Sequence, residues 1–220
     1  MAQITWGAPG AKEYETGVDR CVLYLPSATG VYDTGYAWNG VVSVTESPSG
    51  AEPNKQYADN GVYLNILSTE EIAATIEAYT FPKEFAVCDG TATPAPGLYV
   101  GQQLRTPFAL CYRTRIGNDI KGSAAGYKLH MLYSALAKPT QKAYKTINNS
   151  PEASTFSWEL STTPVEVGSS LTPSALLTVV STEVAPGKLA TLESALYGGS
   201  GSTAPKLPTP AEIITMLKAA

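Results

Sequence analysis

Between Pro107 and Leu160 apolar and polar residues alternate in segments separated by turn residues. In Phe108–Ile116 one parity holds Phe108, Leu110, Tyr112, Thr114 and Ile116, and the other holds Ala109, Cys111, Arg113 and Arg115. Tyr127, Leu129, Met131, Tyr133 and Ala135 share a parity in the next segment, and Phe156, Trp158 and Leu160 share one in the third. A period of two sends successive side chains to opposite faces of a strand. The β-branched and aromatic content suits a pleated, half-buried surface. The pattern predicts an antiparallel meander with one apolar face and one mixed face.

The flanking regions predict fewer and shorter elements. Met1–Glu15 reads as an extended arm, Val18–Leu25 as a first strand and Gly40–Thr45 as a second. Glu46–Gly61 has two prolines, an Asn60-Gly61 turn signal and little to bury, so it reads as a long loop without an element of its own. Val62–Leu67 then pairs back on the second strand. Ser68–Phe81 has two readings: a helix opened by the capping box Ser68-Thr-Glu-Glu71, or a strand over Thr75–Phe81. The strand is favoured, because β-branched and aromatic residues cluster before Pro82. Pro82–Cys88 predicts a short helix, and Thr91–Gln103 a Pro- and Gly-rich crossing. Phe156–Val167 predicts a long strand kinked at Thr163-Pro164, and Ser174–Ser181 the last strand.

Two helices close the chain. Pro186–Tyr197 carries Leu189, Leu192 and Leu196 on one face, with Gly198 as its cap. Thr209-Pro-Ala-Glu212 opens the second, whose apolar face is Ile213, Ile214 and Leu217. So short a helix is unstable alone and must dock, on its own domain or on a neighbour. The expected division is a β domain over 1–197, a flexible linker over 198–210 and a terminal helix over 211–220.

Composition narrows the function classes. Only 15% of the 220 residues are charged, against 44% hydrophobic, so much of the surface is neutral and poorly protected against association. A net charge of −4 with scattered basic residues argues against direct nucleic-acid recognition. Cys21, Cys88 and Cys111 are odd in number and widely spaced, without a CxxC, which argues against a zinc knuckle or a redox pair, and they fit reduced, mostly buried thiols of an intracellularly made protein. No signal peptide and no membrane-spanning run is expected. His130 is the single histidine and sits mid-strand on the mixed face, where a structural role outweighs a catalytic one. Phosphate-binding loops, a nucleophile elbow, a zinc-binding HExxH and a calcium loop are all missing, so no enzyme, metal or cofactor is expected. Trp38, Tyr112, Tyr133, Phe156 and Trp158 are candidate core aromatics.

Several stretches together resemble the major tail protein of long-tailed, non-contractile bacteriophages. They are Thr75–Phe85, Cys88-Asp-Gly90, Gly101-Gln-Gln103, Cys111–Asp119, Gly126–His130, Ile147–Ala153, Phe156-Ser-Trp-Glu-Leu160, Thr162–Val165 and Leu207–Pro210. The ordered set, running from about Val62 to the C-terminus, carries the resemblance. It implies a mainly β fold, an antiparallel β-sandwich or split barrel with a short flanking helix. It further implies homo-hexameric rings stacked around a tape-measure protein, with terminator and tail-tip partners. Such a tube lies in the virion tail, is synthesised in the host cytoplasm, and conducts viral DNA without sequence-specific binding or any cofactor.

On that reading Glu46, Glu52, Asn54, Lys55, Tyr57 and Asp59 belong to an inter-ring loop. Glu77 and Glu159 border the lumen, where carboxylates repel phosphates. Ile213, Ile214 and Leu217 dock the terminal helix or join subunits. The alternative is a carbohydrate- or host-surface-binding β-sandwich of a phage tail with Trp38 and Tyr36 as an exposed platform.

Overall fold

The computed structural model describes residues 6–147, 149, 152–168, 171–199 and 204–218. The chain is mainly β, with antiparallel sheets and two short helices. Its strands are β1 (Glu13–Leu25), β2 (Thr34–Ala37), β3 (Val41–Ser49), β4 (Pro53–Ala58), β5 (Gly61–Leu67), β6 (Glu71–Ala78), β7 (Ala92–Ala95), β8 (Leu98–Val100), β9 (Phe108–Asn118), β10 (Gly122–Ala137), β11 (Phe156–Thr162) and β12 (Leu176–Val180). A 3-10 turn spans Lys83–Val87, and the helices are α1 (Pro186–Tyr197) and α2 (Pro210–Lys218). Eight strands form one sheet in the order β2-β1-β9-β10-β11-β6-β3, with β12 also on β10.

The sheet forks along β10. Residues Lys128–Leu132 pair with β12, while Ala135–Ala137 pair with β11. Between these stretches Ser134 has a positive φ of 48° and the register against β9 shifts. A bulge of this kind adds one residue and reverses which face the following side chains meet. Leu129, Met131 and Tyr133 therefore join one buried cluster, whereas Ala135 and Ala137 join the other. Arg20, at φ 49°, does the same in β1: Val18 packs against the first cluster before the bulge, and Cys21 and Leu23 belong to it afterwards.

The two clusters define the layers. One lies between the arms of the fork and holds Leu23, Phe108, Leu110 and Leu132 from one side and Ile76, Trp158 and Leu160 from the other. Trp38 and Phe85 fill it, with ring centroids 4.6 Å apart and each close to Trp158 at 5.6 and 5.2 Å. The other lies on the far side of β1, β9, β10 and β12, where Leu192 and Leu196 of α1 and Ile213 of α2 cover Cys111, Leu129 and Met131. The expected mixed face of the meander is thus a second buried face: Phe108 through Tyr112 are buried without interruption. A single sequence shows that a strand alternates but not what will later lie on it.

The helices form as their sequences dictate. Thr209 and Glu212 make a reciprocal capping box, N–H to Oε2 at 2.8 Å and N–H to Oγ1 at 3.3 Å. Ile213 is buried, Ile214 and Leu217 are half-buried, and Lys188 Nζ donates to the Leu217 carbonyl at 2.9 Å. The terminal helix therefore docks on its own domain. Of the expected linker, 200–203 lie outside the described residues, but the part from 204 on is fixed. Leu207 is buried and its N–H donates to the Tyr32 carbonyl at 2.9 Å, while Tyr133 donates to the Pro208 carbonyl at 2.8 Å.

Several expected boundaries move. Of the expected N-terminal arm, residues 1–5 lie outside the described residues and Glu13–Glu15 already belong to β1. A strand forms here, as favoured, but over Glu71–Ala78 and not Thr75–Phe81: it ends three residues earlier and starts at the residue that the helical reading used as its capping acid. Pairing with β3 on one side and β11 on the other outweighs the local cap. The crossing over 91–103 contains the small hairpin β7–β8.

Candidate assembly surfaces

The largest correction falls on the expected loop. Glu46–Ser49 complete β3, and Pro53–Ala58 pair with Gly61–Leu67 as a two-stranded ribbon. Asp59 and Asn60, at φ 49° and 60°, form its two-residue turn, with Ala58 opposite Gly61. Two consecutive positive φ values match the twist that a tight hairpin needs. β5 thus pairs with β4 and not with β3. The ribbon continues the β3–β6 pair after a break at residues 50–52 and 68–70, bridged by the Ser68 N–H to the Glu52 carbonyl at 3.2 Å. At that break Gly50 has a φ of 89°, and a Cβ there would stand 2.2 Å from the Thr69 carbonyl oxygen, so only glycine fits.

Every residue of the ribbon is exposed against the described residues of its own chain. Its exposures run from 50% at Leu64 to 71% at Tyr57 among the large apolar residues. Directly opposed residues share a face. Tyr57 opposes Val62, Gln56 opposes Leu64 and Asn54 opposes Ile66, so Tyr57, Val62, Leu64 and Ile66 share one side with Gln56 and Asn54, while the exposed Tyr63 and Leu67 lie on the other. Of the six residues expected in an inter-ring loop, Asn54, Lys55 and Tyr57 lie on β4, Asp59 in the turn and Glu52 at the break. Glu46 lies elsewhere, in β3, with its side chain directed across the fork.

There Glu46 accepts a hydrogen bond from the Tyr112 hydroxyl, and its Oε1 lies 3.1 Å from Nδ1 of His130. Among the described residues Nδ1 has no hydrogen-bond partner, and the Glu46 carboxylate is the charged group it faces. The His130 ring stacks on Tyr112 with centroids 4.9 Å apart, and its Nε2 lies 3.0 Å from the Thr114 hydroxyl. His130 is thus a buried member of a polar cluster rather than a residue of an open mixed face. Sequence reasoning missed the cluster because Glu46 and Tyr112 stand 66 positions apart, with no local signal.

These contacts act on titration. His130 first, then the Tyr112 hydroxyl, hold the Glu46 carboxyl below its usual range against the opposing effect of burial. Asp19, bonded by Arg113 at 2.6 and 2.8 Å and by Arg115 at 2.8 Å, falls to about 2, with the Arg113 bond the main cause. Both folded values lie below the unfolded ones, so the stabilisation is complete above about pH 5 and is lost as pH falls through the folded values. Thermal unfolding followed from pH 5 to pH 2 should show a falling Tm. The Asp19→Asn, Glu46→Gln double variant should start lower at pH 5 and fall less steeply; an unchanged slope refutes the assignment.

Glu77 and Glu159, the two expected lumen residues, are brought together on one outward face. Cross-strand pairing lines up Ser43, Glu77 and Ser157, then Thr45, Thr75 and Glu159, then Ser47, Ala73 and Ser161. All nine are exposed or half-buried. Ser43 donates to Glu77 Oε2 at 3.0 Å. The grid holds small hydroxyls, one methyl and two carboxylates, with no aromatic ring and no cation.

The remaining candidates are structural. Trp38 is 3% exposed and donates from Nε1 to the Thr80 carbonyl at 2.8 Å, which removes it from any exposed platform. Tyr36 packs, half-buried, against the inner cluster. Tyr112, Tyr133, Phe156 and Trp158 are core residues as expected. All three cysteines are buried, and burial raises the thiols, those of Cys88 and Cys111 to about 12. Among the described residues no group of three or more His, Cys, Asp or Glu could hold a metal ion, and no helix is long and apolar enough to cross a membrane.

No model of a known protein family matches the chain, and no curated protein does. Among solved structures it is similar to the cap that terminates the tube of the anti-feeding prophage, with a TM-score of 0.36, 11% identity, and coverage of 82% of this chain and 96% of that one. It is also similar to a chain of the sheath–tube complex of an extracellular contractile injection system in the extended state, with a TM-score of 0.33, 11% identity, and coverage of 73% and 88%. Likenesses at this level carry no argument about what this chain does.

Proposed function

We propose that this chain is a structural protein of a phage tail that polymerises into stacked hexameric rings and forms the tube through which viral DNA passes. The observation that carries the reading is the division of labour on β3 and β6. One end of this strand pair projects a ribbon with large apolar residues that no described residue of its own chain covers. The other end presents the grid of hydroxyls and carboxylates around Glu77 and Glu159. An uncovered apolar surface calls for a partner, and a smooth acidic surface without rings or cations gives a phosphate backbone nothing to hold. The ribbon joins one ring to the next, and the grid lines the lumen. β3 is the long terminal strand of the sheet, and terminal strands invite pairing with another chain. Ring closure by sister copies completes that pairing.

Electron microscopy of concentrated protein tests this directly: hollow tubes of stacked rings are expected, and a chain that stays monomeric at every concentration overturns the reading. In phage, Glu77→Lys with Glu159→Lys should leave tubes intact and slow DNA ejection severalfold, since the lumen would then attract phosphates. Normal ejection through intact variant tubes removes the grid from the lumen.

A further inference from the structure

Residues 139–155 connect β10 to β11, and the stretch Ala143–Ile147 is anomalous. It belongs to no helix or strand and is exposed throughout, with Tyr144 at 79% and Ile147 at 83%. Among the described residues none of these five makes a backbone hydrogen bond. The stretch is nonetheless held at its root, where the Thr140 hydroxyl donates to the Ser157 carbonyl and Lys142 pairs with Asp89. Unpaired peptide groups and large apolar side chains presented together, on a segment tethered at its root, are the features that let a segment add to a sheet as a strand.

A border to receive it exists in the same molecule. Of the two strands that end the sheet, β2 has four residues and the segment beside it is met by Leu207, through the bridge to Tyr32. β3 has nine residues and, among the described residues, pairs as a strand with β6 alone. Alternate peptide groups of β3 therefore point away from the sheet, except that Pro48 has no N–H to offer. The charges are complementary. Among the described residues Lys145, at the centre of the exposed stretch, has no carboxylate within 4.0 Å, and Lys138 and Lys142 share its sign. The outward face of the β3–β6 pair carries Glu71 and Glu77 and no cation. Glu71 is exposed, lies opposite the small Ser49 on β3, and has no cation within 4.0 Å among the described residues. A strand laid beside β3 sits about 10 Å from β6, two strand spacings away. A lysine can span that gap over a serine to meet a glutamate.

We propose that Ala143–Ile147 of one copy adds as an extra strand to the outer border of β3 in a second copy, with Lys145 paired to Glu71. This rests on the tube reading and names the contact that joins neighbours within a ring. The contact is head-to-tail, since arm and border are different surfaces, and such a contact makes a ring when the rotation between successive copies closes.

Thr146→Pro tests it. Proline cannot donate to a ladder, and in an exposed segment without backbone hydrogen bonds it leaves the monomer undisturbed. The variant should keep the wild-type Tm and need at least tenfold more protein to assemble. Lys145→Glu should weaken assembly as well, and adding Glu71→Lys should restore it. Hydrogen exchange should show the amides of 143–147 and of β3 becoming protected together on assembly. Thr146→Pro rings at the wild-type threshold, or wild-type rings with the 143–147 amides unprotected, overturn the arm assignment and leave the tube standing. Wild-type protein that never assembles overturns both.

Discussion

Joining Ser49 to Glu71 through an Asn-Gly turn, which excises residues 50–70, should leave a folded chain that makes no tubes. Ser49 and Glu71 are cross-strand partners, so a two-residue turn closes the shortened hairpin in its existing register. All of the excised residues are exposed, so the core loses nothing. The Tm of the monomer should stay within a few degrees of the wild type. What disappears is the side that carries Tyr57, Val62, Leu64 and Ile66. Burial of each large apolar side chain contributes ~1.5–3 kcal/mol, so a stacking interface without the four loses several kcal/mol per subunit. Sedimentation and electron microscopy read the result. Stacked tubes from the excised chain would move the ring-to-ring contact elsewhere on the molecule.

Trp158→Ala should have the largest effect on the fold itself. Trp158 is fully buried on β11 and sits among Trp38, Phe81, Phe85 and Phe156, with centroids 5.2 to 6.0 Å away. It spans the space between the arms of the fork, and no neighbour can close the void without moving a strand. Large-to-small changes of this kind cost ~3–5 kcal/mol. Against a typical total of ~5–15 kcal/mol that is a large share, and a chain of this size should lose roughly 6–20 °C in Tm. Tyr144→Ala, at an exposed aromatic position, should shift the monomer by less than ~0.5 kcal/mol. Equal losses for the two variants would mean that the aromatic cluster does not hold the arms together.

Elements with a local cause were legible. The capping box at Thr209 and Glu212, the leucine face of α1 and the alternation of β9 each follow from residues within one or two turns of chain, and each stands where the sequence put it. The irregular spacing Val18, Cys21, Leu23 even carries the trace of the bulge at Arg20. The ribbon misled for a physical reason. Its prolines and glycines signal a loop, and its apolar residues are too few on β4 to alternate visibly. A strand that buries nothing has no patterned face to reveal it. The grid around Glu77 was half legible: two carboxylates could be placed on outward parities, but their company of seven small residues depends on pairing between β3, β6 and β11. The Glu46, Tyr112 and His130 cluster left no mark in the sequence at all.

Read alone, the sequence determined the strand-rich class, the positions of both helices and which side of most strands turns inward, because side-chain period and caps are local properties. Only the tertiary structure decided that the meander is buried on both faces, that β10 divides the sheet, and that the stretch after Thr45 becomes strand and ribbon. Those outcomes depend on which distant segment takes each free row of peptide groups, and that choice is made by the whole packed chain.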